Sequence, residues 1–134
     1  MRGTLFTVQK SLPLFNDDGS IVMTGSIAGV KGRAGRSVYG ASKAALGSFT
    51  RTCASDLKDR GIRVNLISPG PTETAALANA SEITRDRLAA PILRGSLGQP
   101  DEIASAVVFL ASSDSAFVNA TRGRWLRPGV SAKP

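Results

Sequence analysis

"SIVMTGSIAGVKGRAGRSVYGASKAALGSF", residues 20–49, decides how the rest of the chain is read. Its opening, "SIVMTG", is a short β-branched run closed by glycine, as suits a buried strand of a parallel sheet. A loop punctuated by Gly29, Gly32 and Gly35 follows. The stretch then turns to alanine, serine and glycine, in which Tyr39 and Lys43 stand four residues apart. In a helix that spacing sets the phenol and the ammonium on one face, one turn apart. Phe49, Cys53 and Leu57 continue at helical spacing, and Gly61 is the expected end of the helix.

On the amino-terminal side, Leu5, Val8, Leu12 and Phe15 recur at helical spacing, and Asn16, Asp17, Asp18 and Gly19 then supply a turn. On the other side, "IRVNLIS" (62–68) reads as a second strand, cut off by Pro69 and Gly70. Residues 71–98 are irregular, with short helices expected near 73–80 and 84–90 and an interruption at Pro91. "QPDEIASAVVFLASS" (99–113) opens a helix with Pro100 and two acids and carries Ile103, Ala106, Val107 and Leu110 on one face. Helix, strand, helix, strand, loop, helix is an alternation that implies parallel strands with helical crossovers, an α/β fold of the doubly wound kind. There is no internal repeat and no low-complexity segment.

Composition excludes several classes. With 134 residues the chain is long enough for one domain with a core, and its 42% apolar and 20% charged content is that of a soluble globular protein. No apolar run reaches bilayer-spanning length, and "MRGTLFTVQKSLPLF" is interrupted by Gln9, Lys10 and Pro13, unlike a signal peptide, so a cytoplasmic setting with no membrane partner is expected. The absence of histidine removes the Ser/His/Asp triad and the usual zinc spacing. Cys53 has no possible disulfide partner and is read as core. The net charge of +7 divides unevenly: residues 1–120 hold thirteen Lys/Arg against ten Asp/Glu, and Arg122, Arg124, Arg127 and Lys133 add the other four. A second local surplus, Lys31, Arg33 and Arg36, has no aromatic interleaving, and the expectation is a solvated loop and no nucleic-acid partner.

In a doubly wound sheet the ligand lies beyond the carboxyl ends of the strands. Ser26 follows the first strand; "SPGPTET", with Thr72 and Thr74, follows the second; the tyrosine helix runs between them. Taken singly, Ser26 reads as a turn serine and Tyr39 with Lys43 as a helix-surface pair. Taken together they bring four hydroxyl groups and an ammonium to one end of the sheet.

The ordered set is more specific than any member. A serine thirteen residues before "YGASK" (39–43), then "IRVNLISPGPTET" (62–74), then "GQPDEIASAVVFLASSDSAFV" (98–118), resembles the C-terminal half of a short-chain dehydrogenase/reductase over about four fifths of the chain. The resemblance implies a partial Rossmann-like doubly wound parallel sheet and a single incomplete NAD(P)-binding domain over 1–134. Residues 71–98 would form the substrate loop. The implied activity is hydride transfer between NAD or NADP and a small alcohol or carbonyl substrate. Reduction leaves an alkoxide that must be protonated. A free phenol ionises near pH 10, about three units above neutrality, and a lysine cation one turn away favours its phenolate. By resemblance Tyr39 is the acid/base, Lys43 also binds the nicotinamide ribose, and Ser26 steadies the carbonyl oxygen. Pro69, Gly70, Thr72 and Thr74 would lie against the nicotinamide, Thr72 through its backbone and Thr74 through its hydroxyl. Relatives usually carry valine or isoleucine at the Thr72 position.

The family's glycine-rich pyrophosphate turn and its Asn-Asn-Ala-Gly are not among these residues, so this chain alone is expected to be inactive, a truncated form of the enzyme. The resemblance further implies a homo-oligomer through the tyrosine helix and the helix before it. "TRGRWLRPGVSAKP" (121–134) departs from the family's apolar last strand and is expected not to form it. Two other readings are a non-catalytic oligomerisation module derived from the family, and a nucleic-acid binder acting through the basic tail. A mixed oligomer with a full-length relative would support the first, and loss of nucleic-acid binding on deleting 121–134 the second.

Overall fold

The computed structural model describes residues 1–123. Three parallel strands, β1 (Ser20–Thr24), β2 (Arg63–Ile67) and β3 (Arg122–Gly123), form a sheet in the order β1-β2-β3. Ser20 lies opposite Arg63 and Thr24 opposite Ile67, so β1 and β2 stop at the same level. The helices are α1 (Arg2–Ser11), α2 (Ser37–Asp56), α3 (Glu82–Ala89) and α4 (Pro100–Ala111). Among the described residues no helix is long and apolar enough to cross a membrane.

The strand side chains alternate between two covered faces. Ile21, Met23, Val64 and Leu66 point into a core with Leu46, Cys53, Ala54 and Leu57 of the α2 segment, and Val8, Leu12 and Phe15 pack against the same cluster. Asn65 and Ile67 face the other way, the side on which α4 lies across β1 and β2 and buries Ala106 and Leu110. Burial of β2 is near complete, with Val64 0% and Ile67 1% exposed. Each such side chain contributes about 1.5–3 kcal/mol by leaving water. This explains the run of apolar Ile62, Val64, Leu66 and Ile67 in "IRVNLIS".

The α-helical part of α2 ends at Asp56 rather than at Gly61, and a short 3-10 turn over Lys58–Arg60 carries the chain on. Gly61 then adopts φ +65°, and a Cβ there would meet Asp18 Oδ1 at 2.2 Å, so the glycine closes the α2 segment as its left-handed stop. Cys53 is buried, and burial first, then the nearby Asp56 carboxylate, pushes its thiol pKa up. It packs as core.

The expectation that residues 121–134 stay out of the sheet fails at their start. Arg122 and Gly123 pair in parallel with Leu66 and Ile67. The cause is polar rather than apolar. The wholly buried Asn65 donates from Nδ2 to Val118 O (2.8 Å), and its Oδ1 accepts from the Thr121 N–H at 3.1 Å. Asn119 Oδ1 accepts from the Val64 N–H (2.9 Å), and the Leu66 N–H donates to Thr121 O (3.2 Å). A side-chain clamp thus lays 118–121 along β2 before the basic residues begin. Residues 124–134, which carry the rest of that expectation, lie outside the described residues.

Candidate functional site

The strands end by lacing to each other. The Gly25 N–H donates to Ile67 O at 2.7 Å and the Ile27 N–H to Pro69 O at 3.1 Å. Gly25 is needed for that approach, because a Cβ would lie 3.2 Å from Ile67 O and 3.1 Å from Ser68 Oγ. Ser26, extended at φ −166°, opens a 3-10 turn over Ile27–Gly29, and its Oγ accepts from the Ala28 N–H at 3.2 Å. With its lone pair engaged by backbone, the Ser26 hydroxyl keeps its proton for donation.

That turn lies directly on α2. A Cβ on Gly29 would come within 2.8 Å of Lys43 C and 2.9 Å of Lys43 O, and one on Gly40 within 3.0 Å of Ala28 O. Backbone therefore meets backbone, and Ser26 is fixed relative to the helix bearing Tyr39 and Lys43. Of the three loop glycines, Gly29 serves this close approach, Gly35 supplies a positive φ of +73°, and Gly32 has open space around it.

Lys43 Nζ donates to the carbonyl of Thr24, the last residue of β1, at 3.1 Å, and sits 5.9 Å from the centroid of the Tyr39 ring. The Arg36 guanidinium carbon lies 6.0 Å from the same centroid. The ring is thus flanked by two cations while remaining 43% exposed.

Beyond β2 the chain turns across the other side of the opening. Thr72 Oγ1 donates to Gly70 O (3.1 Å), and the base of the 71–98 loop is closed where the Gly98 N–H donates to Pro71 O (3.1 Å) and the Glu73 N–H to Gly98 O (2.8 Å). Glu73 is ion-paired with Arg85. Thr74 starts a further 3-10 turn without using its side chain as a cap. The first turn of α4 completes the wall with Pro100 and Ile103. It is anchored by the Gln99 N–H, which donates to Glu102 Oε2 (2.7 Å), and by the Arg94–Glu102 ion pair. Together these two contacts, the backbone one first, hold the Glu102 carboxyl below the usual carboxylate range.

The strand ends, the face of α2 and the first turn of α4 border one cleft of about 480 Å³. Ser26, Tyr39, Lys43, Pro69, Gly70, Thr72 and Thr74, the seven residues singled out from the sequence, line it together, along with Thr24, Gly25, Pro100 and Ile103. Sequence reasoning missed Thr24 and Ile103. The signal for Thr24 is its position as the last strand residue, and that for Ile103 is its place one turn inside a helix that begins at the cleft. Among the described residues no cluster of histidine, cysteine, aspartate and glutamate is suited to a metal ion.

Comparison with known proteins agrees with this architecture. Residues 1–122 match the family model described as enoyl-(acyl carrier protein) reductase. An oxidoreductase from Sarocladium schorii, asL5, is 42% identical over 126 residues, which cover 90% of this chain and 50% of that protein. Carbonyl reductase family member 4 of Danio rerio is 41% identical, covering 83% and 46%, and the 3-oxoacyl-[acyl-carrier-protein] reductase FabG of Thermotoga maritima is 36% identical, covering 88% and 49%. The chain spans about half the length of the curated relatives it matches. Among solved structures, a blue fluorescent protein from a metagenomic library, in complex with NADPH, superposes with a TM-score of 0.87 at 34% identity over 92% of this chain and 50% of its own. A Serratia marcescens short-chain dehydrogenase/reductase variant superposes with a TM-score of 0.88 at 31% identity over 93% and 51%. A strand-end serine, a Tyr-x-x-x-Lys helix and a match over nine tenths of the chain lead to one conclusion: this chain belongs to the short-chain dehydrogenase/reductase family.

Proposed function

We propose that the chain carries the carbonyl-facing half of the active site of an NAD(P)-dependent oxidoreductase acting on a small alcohol or carbonyl compound. The observation that carries the proposal is the convergence of Tyr39, Lys43 and the Ser26 hydroxyl on one cleft at the carboxyl ends of β1 and β2. The relatives named as reductases and the NADPH-bound structural neighbour support it.

The residues suit a nicotinamide nucleotide, NAD or NADP. Lys43 spends one of its three donors on Thr24 O, which leaves two for ribose hydroxyls. The backbone of Pro69, Gly70 and Thr72 and the hydroxyl of Thr74 offer the polar wall that a carboxamide-bearing ring needs. When bound, the nicotinamide would supply or accept the hydride. The rest falls to this chain. Ser26 donates a hydrogen bond to the substrate oxygen as charge builds on it, and the phenol of Tyr39 delivers the proton that turns that oxygen into a hydroxyl. In the oxidative direction Tyr39 takes the proton back. The Lys43 cation, one turn along α2, stabilises the phenolate left behind.

The full enzyme acts, in this reading, as a homo-oligomer joined through α2 and α1. α1 buries none of its residues and exposes Leu5 at 39% and Phe6 at 45%, as a face covered by a second copy would. The buried, unpaired Cys53 suits a reducing cytoplasmic setting.

The test is to join residues 1–134 to the amino-terminal half of the Sarocladium schorii relative and to assay a panel of aldehydes and ketones with NADH and NADPH. Cofactor-dependent reduction of at least one carbonyl is expected. A folded chimera silent with every carbonyl and both cofactors would contradict the proposal.

A further inference from the structure

The loop between β1 and α2 carries charge that the chemistry above does not use. From Gly19 to Ser55 the sequence has five cations, Lys31, Arg33, Arg36, Lys43 and Arg51, and no aspartate or glutamate. Lys43 and Arg51 donate to backbone carbonyls. Arg60, Arg85 and Arg94 are each paired with a carboxylate. Among the described residues, the side chains of Lys31, Arg33 and Arg36 have neither an ion pair nor a hydrogen bond. Of the acids adjacent in sequence to cleft residues, Glu73 is held by Arg85 and Glu102 by Arg94. Among the described residues no carboxylate, Asp101 included, pairs with the three loop cations, so their positive field is open to a ligand.

These three cations border a second concavity of about 490 Å³, walled on the α2 side by Gly40, Ala41 and Ala44. Its small residues leave room beside the charges. Arg36 belongs to this concavity and also lies 6.0 Å from the Tyr39 ring, which lines the cleft. It stands at the junction of the two.

We infer that the substrate is a carbonyl compound bearing an anionic oxyanion group, carboxylate or phosphate, a few bonds from the carbonyl, and that Arg36 binds that group with Arg33 and Lys31 behind it. The inference rests on the assignment of Tyr39 as the proton donor to the carbonyl oxygen. A neutral substrate would leave the charge of a guanidinium beside that phenol unmatched, whereas its donor fork fits an oxyanion in two parallel charge-assisted hydrogen bonds. The two requirements, a carbonyl at Tyr39 and an anion at Arg36, fix the substrate's orientation before any hydride moves.

The test separates this from the catalytic reading, because binding is read without turnover. The chain is titrated with acetoacetate, with its neutral methyl ester and with inorganic phosphate, at ionic strength matched by sodium chloride, while backbone amide resonances of residues 31–40 are followed. Saturable shifts are expected with acetoacetate or phosphate and not with the ester. The tighter of the two oxyanions identifies the group. Arg36→Gln should weaken that binding roughly tenfold, and Arg36→Lys should restore part of it. Equal response to acid and ester, or binding indifferent to Arg36→Gln, would overturn the inference. Intact oxyanion binding in a chimera that reduces no carbonyl would instead refute the catalytic reading alone.

Discussion

At the amino end of the sheet, Arg63 donates to Leu110 O (3.0 Å), Ser112 O (3.0 Å), Ser115 O (3.1 Å) and Ser115 Oγ (2.7 Å), while Ser20 Oγ donates to Leu110 O at 2.8 Å. At the carboxyl end, Lys43 has one protein acceptor, Ser26 accepts one backbone N–H, and among the described residues the Tyr39 hydroxyl has no protein partner. The same two strands separate these regions. One end spends its polar groups on the protein, closing the last turn of α4 with a cation where the helix dipole favours one. The other end leaves donors aimed into a cleft. Saturated polar groups mark where the fold is held together, and unsaturated ones mark where something else is to be held.

Substitutions can break this contrast from either side. The largest effect is expected at the open end: in the chimera Tyr39→Phe should cut turnover by roughly 10²–10⁴-fold while leaving the urea unfolding midpoint in place, since the hydroxyl bonds nothing in the protein. A steady-state assay and a denaturation curve on the same sample check both halves. Ser26→Ala comes next, with a loss of roughly 10²–10³-fold in kcat and a stability cost of about 1 kcal/mol from the lost cap on Ala28. At the closed end the signs reverse. Arg63→Met should lower unfolding free energy by about 2–3 kcal/mol, because it removes four charge-assisted bonds. Turnover per folded molecule should persist. A drop in turnover without a drop in stability would erase the distinction drawn here.

The smallest effect concerns Glu102, which caps α4 at the cleft. Its carboxyl pKa is depressed in the folded state by the Gln99 N–H and then by Arg94, so its contribution is present above the unfolded carboxylate pKa. It is lost as pH falls through the still lower folded value. Native-state hydrogen exchange at the first turn of α4 should therefore quicken on acidification. Glu102→Gln, which retains an acceptor but no titrating charge, should flatten that dependence.

Much of this arrangement was legible because it is local or periodic. β1, α2, β2 and α4 follow from runs and spacings within a single element, and the cleft residues follow from the rule that ligands sit beyond strand ends. What periodicity cannot carry is contact between distant segments. Arg63 reaches Ser115 across 52 positions and Asn65 reaches Thr121 across 56, so neither the cap on α4 nor the entry of Arg122–Gly123 into the sheet shows in local pattern. The tail lacks apolar alternation, which locally argues against a strand. Its first two residues join the sheet because a buried amide in β2 holds the segment before them. Arg36 differs: it caps the start of α2 and stands three positions before Tyr39, so its place beside the ring is a local helical spacing, although "GVKGRAGR" on its charges alone reads as a solvated loop.

The central claim is that the cleft between Ser26, Tyr39, Lys43 and Thr74 is where a hydride meets a carbonyl. Its most direct test is to supply the chimera with a reduced nicotinamide nucleotide carrying deuterium at the transferring carbon, together with a carbonyl compound that the chimera turns over, and to locate the label in the product. Deuterium on the new carbinol carbon, abolished by Tyr39→Phe, is the predicted result. Product without the label, or label transfer undiminished in Tyr39→Phe, would contradict it.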